Sequence, residues 1–374
     1  MAGIYIHIPF CKSKCAYCSF FSSVDQRQCS EYIDALKREA LSRRTYIGDE
    51  EVHTIYFGGG TPSLLTAKQI DSILKLLKDN YNIDSEPEIT LEANPDTIDR
   101  TSLKDFKEAG INRISIGIQS FFDDDLIYLC RRHNSQHALQ VIDDINAIGF
   151  SKSTLDLIYG IPTLTDEKWN KNLDIFFSTG MKHLSAYALT IENNTVLGQS
   201  IAKGTAKAVN EDESIHHYEI LTQRTEQQGF IHYEISNFAM PGHYSKHNSI
   251  YWTGGNYLGL GAAAHSYNGI SRQWNVSNIK QYIKTAGVSN SIIEKESLSL
   301  NDRYNEYVMT SLRTSFGCDT EQIRNSFGNE YASHFERLIK KYLDTGMVKK
   351  KNSTFILSNH GMLFADGIAA ELFI

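Results

Sequence analysis

The stretch Cys11-Lys-Ser-Lys-Cys15-Ala-Tyr-Cys18 brings three thiols into eight residues. It follows an apolar run, Ile4 to Ile8, that reads as a first β-strand. Three ligands is an informative number. A closed structural zinc site takes four protein ligands and a cubane iron–sulfur cluster usually four cysteines, so three leave one metal corner open for something else to bind. The alternatives are a zinc ion completed by His7 or a distant histidine, or three thiols without a role; catalytic zinc also keeps an open position. The other cysteines, Cys29, Cys130 and Cys318, are scattered and read as small buried residues. Six cysteines with three of them clustered suit metal binding in a reducing compartment better than a disulfide framework.

Further polar residues fall at predicted strand ends. Gly58-Gly59-Gly60-Thr61-Pro62 follows the second strand, where glycines let backbone groups approach a ligand without a Cβ in the way; alone it would be a plain turn. Glu92 ends the third strand, Gln119 ends the fourth, Arg131 lies a dozen residues on, and Asp156 sits on the fifth. Such groups need partners if buried, and a charged, hydroxyl-rich ligand would supply them. The alternative is a ring of internal salt bridges, for example Glu92 with Arg131. Later comes His247-Asn248-Ser249-Ile250-Tyr251-Trp252. A neutral imidazole is a good axial heme ligand and neighbouring aromatics can stack on a porphyrin, whereas the plain reading is a hydrogen-bonded histidine beside a packed Tyr–Trp pair. Of His216 and His217 on a predicted helix, one would face solvent. His133 and His265 carry no assignment.

The elements that must position these residues alternate short β-rich runs with helical patterns, the signature of βα units around a parallel sheet. Six strands are predicted: Ile4 to Ile8, Thr54 to Phe57, Glu88 to Glu92, Arg113 to Ile118, Thr154 to Tyr159 and His183 to Leu189. They are expected to be near-continuous apolar runs covered on both faces. Thr66 marks a helix start before Ile70, Ile73, Leu74 and Leu77, and another helix is expected from about Asn210 to Gln228. Six units fall short of a closed eightfold barrel, so the fold class is α/β, a partial (βα)6 TIM-like barrel over residues 1–240. Residues 241–300 form a linker and barrel-mouth segment, with irregular structure from Gly254 to Tyr267. Residues 301–374 form a small α+β, winged-helix-like domain: helices at Tyr304 to Arg313 and Ala332 to Tyr342, a hairpin from Val348 to Leu357 turning at Asn352, and a final helix.

The net charge of -7 argues against a protein built for non-specific phosphate contact, and no nucleic acid is expected as a partner. The cluster Lys340-Lys341 with Lys349-Lys350-Lys351 reads as a solvated face. No run approaches the roughly 18 apolar residues of a membrane span, and the first residues lack a leader pattern, so a cytoplasmic location is expected.

The spacing Cys-x3-Cys-x2-Cys after a first strand resembles the radical S-adenosylmethionine (SAM) superfamily. The segments YIHIPFCKSKCAYCSF, FGGGTPS, LEANPD, SIGIQSF, LCRRHN and LDLIYGIP occur in the order seen in the oxygen-independent coproporphyrinogen dehydrogenase family. They span the predicted barrel and are specific together where each alone would be weak. The resemblance implies a [4Fe–4S] cluster on Cys11, Cys15 and Cys18, whose fourth iron is chelated by SAM and whose electron splits the sulfonium bond. It also implies that Gly59, Gly60 and Thr61 partner the methionine amino group and that Glu92, Gln119 and Asp156 lie near polar groups of the ligand. Arg131 and Tyr5 would lie near its carboxylate and Tyr17 beside the cluster.

That family holds true dehydrogenases and heme chaperones. The dehydrogenases continue the motif with a fourth cysteine at the position occupied here by Phe20, and they carry an extension before the first strand, which here begins at Ile4. The segment from His247 to Trp252 matches a motif associated with the chaperones, which makes His247 the expected heme contact. The resemblance therefore implies a protein that binds heme and passes it to heme-accepting respiratory proteins, touches the membrane peripherally and leaves room for a homodimer. Dehydrogenase activity on coproporphyrinogen III is the alternative.

Overall fold

The computed structural model describes residues 1–289 and 292–374. Successive side chains of a strand point to opposite faces. Along β1 (Ala2–Ile8) this sends Ile4, Ile6 and Ile8 outward under the helices, all fully buried, and Gly3, Tyr5 and His7 inward. The same alternation runs through β2 (Val52–Gly59), β3 (Ile83–Ala93), β4 (Arg113–Gln119), β5 (Thr154–Tyr159) and β6 (His183–Ala188), which lie parallel in sequence order. Outward residues such as Ile55, Phe57, Leu91, Ile116 and Leu155 pack into one apolar core with the helices Cys29–Ser42, Ala67–Asn80, Ser135–Ile148 and Asp166–Ser178. Inward residues are polar: Tyr56, Thr90, Arg113, Ser115, Thr154 and Ser185 surround an internal cavity of about 60 Å³. The expected continuous apolar runs are thus corrected to an alternation. The lumen is lined with hydroxyls and charges, and the apolar core lies outside it.

Local signals place the helices as their sequences suggest. Thr66 caps Ala67–Asn80 through a reciprocal capping box with Gln69, and Asp99 does the same for Arg100–Glu108 with Ser102. The helix expected from about Asn210 spans Glu211–Gln227, with Asn210 as its cap.

β7 (Ile231–Glu234) and β8 (Asn237–Ala239) extend the sheet antiparallel beyond β6. Residues 241–300, expected as a linker with irregular structure from Gly254 to Tyr267, instead extend the opposite edge. There β9 (Tyr257–Leu260) pairs parallel with β1, followed by antiparallel β10 (His265–Tyr267), β11 (Ser271–Asn275) and β12 (Ile293–Ser297). Glycine and aromatic content gave no strand alternation here, because Gly259 must lie flat against its neighbour: a Cβ on it would come within 2.0 Å of the His265 carbonyl oxygen.

The helix Lys246–Trp252 plugs the N-terminal end of the barrel against β1 and β2. Gly3 admits it, since a Cβ there would lie 2.7 Å from Ile250 Cδ1. The C-terminal unit packs helices Leu300–Leu312, Thr320–Phe327 and Asn329–Asp344 on a three-stranded antiparallel sheet. Its strands are β13 (Cys318–Asp319), β14 (Val348–Lys351) and β15 (Thr354–Leu357). The hairpin turns at Asn352, whose φ of 57° suits asparagine. Two short helices, Asn359–Met362 and Ala365–Glu371, stand where one was expected. The buried Tyr304 hydroxyl donates to the Leu372 carbonyl at 3.1 Å and ties the chain end to this second core.

Candidate active site

The cysteine loop leaves the C-terminal end of β1, the end at which parallel barrels gather their reactive groups. Its base is closed by Cys11 N–H donating to Ser23 O at 2.9 Å and Ser23 N–H donating to Pro9 O at 2.6 Å, and its far side is tied by Ala16 N–H to Leu129 O at 3.3 Å. Cys11 is buried while Cys15 and Cys18 are half-buried. Burial pushes the Cys11 and Cys18 thiols up. All three line an open cavity of about 470 Å³ together with Tyr17, Gly59, Gly60, Thr61, Glu92, Gln119, Arg131 and Asp156. The fold thus gathers into one cavity residues from six segments.

The two carboxylates are the least settled groups in it. Glu92 accepts from the Tyr56 hydroxyl at 2.8 Å and from Gly59 N–H at 3.0 Å. Asp156 is met at longer range by hydroxyls, Ser115 at 3.4 Å and Ser185 beside it. Burial pushes both up, Asp156 to about 7 by desolvation and then by the negative charge of Glu92. Among the described residues neither forms an ion pair, so the internal salt bridge of Glu92 with Arg131 is not made. Arg131 instead donates to Asn94 Oδ1 at 2.6 Å, Gly117 O at 2.7 Å and Cys15 Sγ at 3.3 Å. A guanidinium beside the cysteines offsets thiolate charge, and two half-buried carboxylates without a paired cation call for donors from a ligand.

Backbone geometry opens the space. Gln119 has φ of 71°, uncommon for a residue other than glycine, at the point where the register between β4 and β5 shifts. Gly117 lets it turn in, since a Cβ there would meet Gln119 Nε2 at 2.6 Å. A Cβ on Gly60 would lie 2.7 Å from Phe10 O and 3.0 Å from Cys11 Sγ, so the glycine loop is a cradle that a side chain would fill.

Zinc fits this arrangement poorly. Tetrahedral ligands at Zn–S of about 2.3 Å lie about 3.8 Å apart, and the three sulfurs are not drawn that close. Among the described residues the one triple of potential ligands within 4.8 Å is Glu51, His53 and Asp84, at the opposite end of the barrel. His7, offered to complete a zinc site, has both ring nitrogens engaged, with Tyr5 Oη at 3.1 Å and Phe21 O at 3.0 Å. A larger group on three thiols, with a polar ligand reaching Glu92, Asp156 and the glycine cradle, fits the donor set.

Two expected site residues lie elsewhere. Tyr5 is directed into the lumen beneath the cavity, stacked on Tyr56 at 6.1 Å and bonded to His7. His247 is 1% exposed at the barrel's far end. Its Nδ1 meets Thr54 Oγ1 at 2.8 Å, its Nε2 meets Tyr251 Oη at 2.9 Å, and Tyr56 stacks on its ring at 4.9 Å. An axial heme bond needs a free ring nitrogen at an accessible surface, and His247 presents neither. The expected heme contact is corrected to a buried packing residue. Cys130, expected to be buried, is exposed with φ of 56°. His217 is buried and His216 exposed, as a helical pair requires.

Asn94, Ser115, Gly117 and Tyr187 also line the cavity and were not singled out from the sequence. Asn94 follows Glu92 by two residues in LEANPD, and its alternation with Glu92 was the signal available. Tyr187 had none, because its neighbours on β6 read as apolar.

The chain matches the Radical SAM superfamily over residues 5–175 and the HemN C-terminal domain over residues 298–364. Among curated proteins it is 32% identical to the heme chaperone HemW of Bacillus subtilis over 98% of each chain. It is 31% identical to HemW of Mycobacterium tuberculosis, covering 99% of this chain and 94% of that one. The fold superposes on coproporphyrinogen III oxidase (HemN) of Escherichia coli with a TM-score of 0.85 at 23% identity, over 100% of this chain and 90% of that one. Radical SAM membership implies a [4Fe–4S] cluster with SAM. The chain belongs to the radical SAM superfamily and, within it, to the family of proteins named heme chaperone HemW.

Proposed function

We propose that the protein is a heme chaperone that holds a [4Fe–4S] cluster and SAM, binds heme, and delivers it to respiratory proteins. The observation that carries this reading is position 20. A fourth cysteine there is the mark of the dehydrogenases, whereas Phe20 lies at the mouth of the cavity with 68% of its surface exposed. An exposed phenyl ring beside the cofactor cavity offers a flat apolar surface and no thiol.

In this reading Cys11, Cys15 and Cys18 hold the cluster with Tyr17 beside it. Gly59, Gly60 and Thr61 present backbone and hydroxyl groups to the ligand's amino end. Arg131, already held by Asn94 and the Gly117 carbonyl, faces its carboxylate. Glu92, Gln119 and Asp156 accept from or donate to its remaining polar groups. When bound, the reduced cluster supplies an electron that can cleave the sulfonium bond of SAM. The chain's own part is to fix the thiols, place one cation beside them and keep two carboxylates ready to accept. Work in the cytoplasm with peripheral contact at the membrane, and association as a homodimer, belong to the same proposal.

The test is made without oxygen. The protein is reconstituted with iron and sulfide, and two quantities are measured: transfer of bound heme to a heme-free acceptor, and conversion of coproporphyrinogen III. Heme transfer without conversion is the expected outcome. Conversion at enzyme-like rates without transfer would overturn the chaperone reading in favour of the dehydrogenase, which the intact cofactor cavity would support.

A further inference from the structure

A second cleft, of about 230 Å³, lies at the opposite end of the barrel from the cysteines, where the loop after the plug helix meets helices Leu300–Leu312 and Thr320–Phe327. Its walls are aromatic. On the barrel side Tyr251, Tyr257 and Tyr267 form a continuous series, with centroids 4.8 Å apart for the first pair and 6.1 Å for the second. Facing them from the C-terminal unit are Tyr307 and Phe327, 6.0 Å apart.

The two charged residues between these walls, Arg303 and Glu306, are not paired with each other. Arg272 is paired with Glu306, while the guanidinium of Arg303 makes no hydrogen bond or ion pair among the described residues. Arg303 Nε is shut off from solvent without a partner, and so is Glu306 Oε2. Arg303 is the one cation among the residues lining the cleft, and its carboxylate neighbour Glu306 is engaged by Arg272 from outside it, so the guanidinium is left without a carboxylate of its own. An unpaired, partly desolvated guanidinium is costly unless something accepts from it, and planar carboxylates match its forked donors best. Aromatic walls favour a flat partner through stacking and edge contacts.

We propose that this cleft is a second ligand site, taking a flat aromatic ring that carries a carboxylate, with the carboxylate on Arg303 and the ring between the tyrosines and Phe327. The volume limits what enters. Drug-sized pockets begin at about 300 Å³, so the occupant is either a free one- or two-ring acid or one pyrrole corner of a porphyrin with its carboxylate arm. The inference does not rest on the heme reading, since it concerns a different end of the molecule.

The experiment uses the reconstituted full chain with saturating SAM, which fills the cysteine cavity, and titrates two probes separately by fluorescence: 2-naphthoate and metal-free mesoporphyrin IX. Saturable binding of at least one probe at one per chain is expected. R303M should weaken it at least about 10-fold, the scale of one charge-assisted contact, R303K should weaken it less, and F327A should weaken it as well. Binding of 2-naphthoate that R303M weakens assigns a free aromatic acid; binding of mesoporphyrin alone, weakened by R303M, assigns the porphyrin corner, and porphyrin binding that R303M leaves unchanged belongs to the heme site elsewhere and counts against this cleft. Circular dichroism checks that R303M is folded, and if it is not, R303K and F327A carry the test. The proposal is overturned if neither probe binds, or if the folded variants bind as tightly as the parent. Probe binding without heme transfer would leave this site standing and remove the chaperone reading.

Discussion

The two ends of the barrel lumen are built from similar residues and do opposite things. At the C-terminal end, half-buried Glu92 and Asp156 stand without a paired cation, Gly60 admits the close approach of the Cys11 loop, and the space is open. At the N-terminal end, Glu88 accepts from His247 N–H at 3.0 Å and faces Arg113 at 3.5 Å, while both ring nitrogens of His247 find hydroxyl partners. Polarity alone therefore does not mark a site. What marks it is polarity that the protein itself leaves unsatisfied, because satisfied groups have no free energy left to offer a ligand.

The largest effect should come from the open end. Cys15→Ser is expected to abolish assembly of a stable cluster, read as loss of the visible iron–sulfur absorption and of bound iron after reconstitution; a variant that kept a full complement of iron would break the assignment. Next, Arg131→Met removes the cation that touches Cys15, Asn94 and Gly117. SAM affinity should fall about 10- to 100-fold, the worth of one or two charge-assisted contacts, as measured by equilibrium binding. Unchanged affinity would show that Arg131 only braces the loop.

The closed end should respond in stability instead. His247→Ala leaves Thr54 and Tyr251 without their partner and opens a hole under Tyr56, a loss of about 2–4 kcal/mol. Denaturant unfolding should show it, with cluster content and SAM binding retained; a variant as stable as the parent but deficient in heme binding would restore His247 as the heme contact. Burial also holds the His247 imidazole down to about 3, so this side chain should stay neutral at neutral pH.

The smallest effect concerns pH. Asp156 is raised to about 7 by burial and by Glu92, while an unfolded aspartate titrates near about 4. Between those values the folded chain holds a proton that the unfolded chain has released, so this group lowers stability as pH rises towards 7 and adds no further slope above it. In the cluster-free protein Asp156→Asn should flatten that slope and unfold at higher denaturant than the parent at pH 8. Parallel pH profiles for the two proteins would show that Asp156 is ionised in the fold.

Much of the open end was legible beforehand because its parts are local. Three thiols in eight residues, glycines after β2, and Glu92 and Asp156 at or near strand ends each follow from strand position, and strand position follows from apolar patterning. The edge strands β9 to β12 were not legible: they are short, and Gly259 is there for backbone contact, which has no apolar signature. His247 was misplaced for a related reason. The sequence shows an imidazole beside two aromatics, a pattern equally good for binding a flat ligand or for packing, and nothing local distinguishes them.

The sequence by itself determined the three-cysteine spacing, the alternating βα order and the absence of a fourth thiol at Phe20, because each depends on residue type and short spacing. Tertiary structure alone decided which polar groups are satisfied. Whether Glu92 meets Arg131, or His247 meets Thr54, depends on contacts between residues 39 and 193 positions apart. Only the curved sheet and its plug helix bring such pairs together or hold them apart.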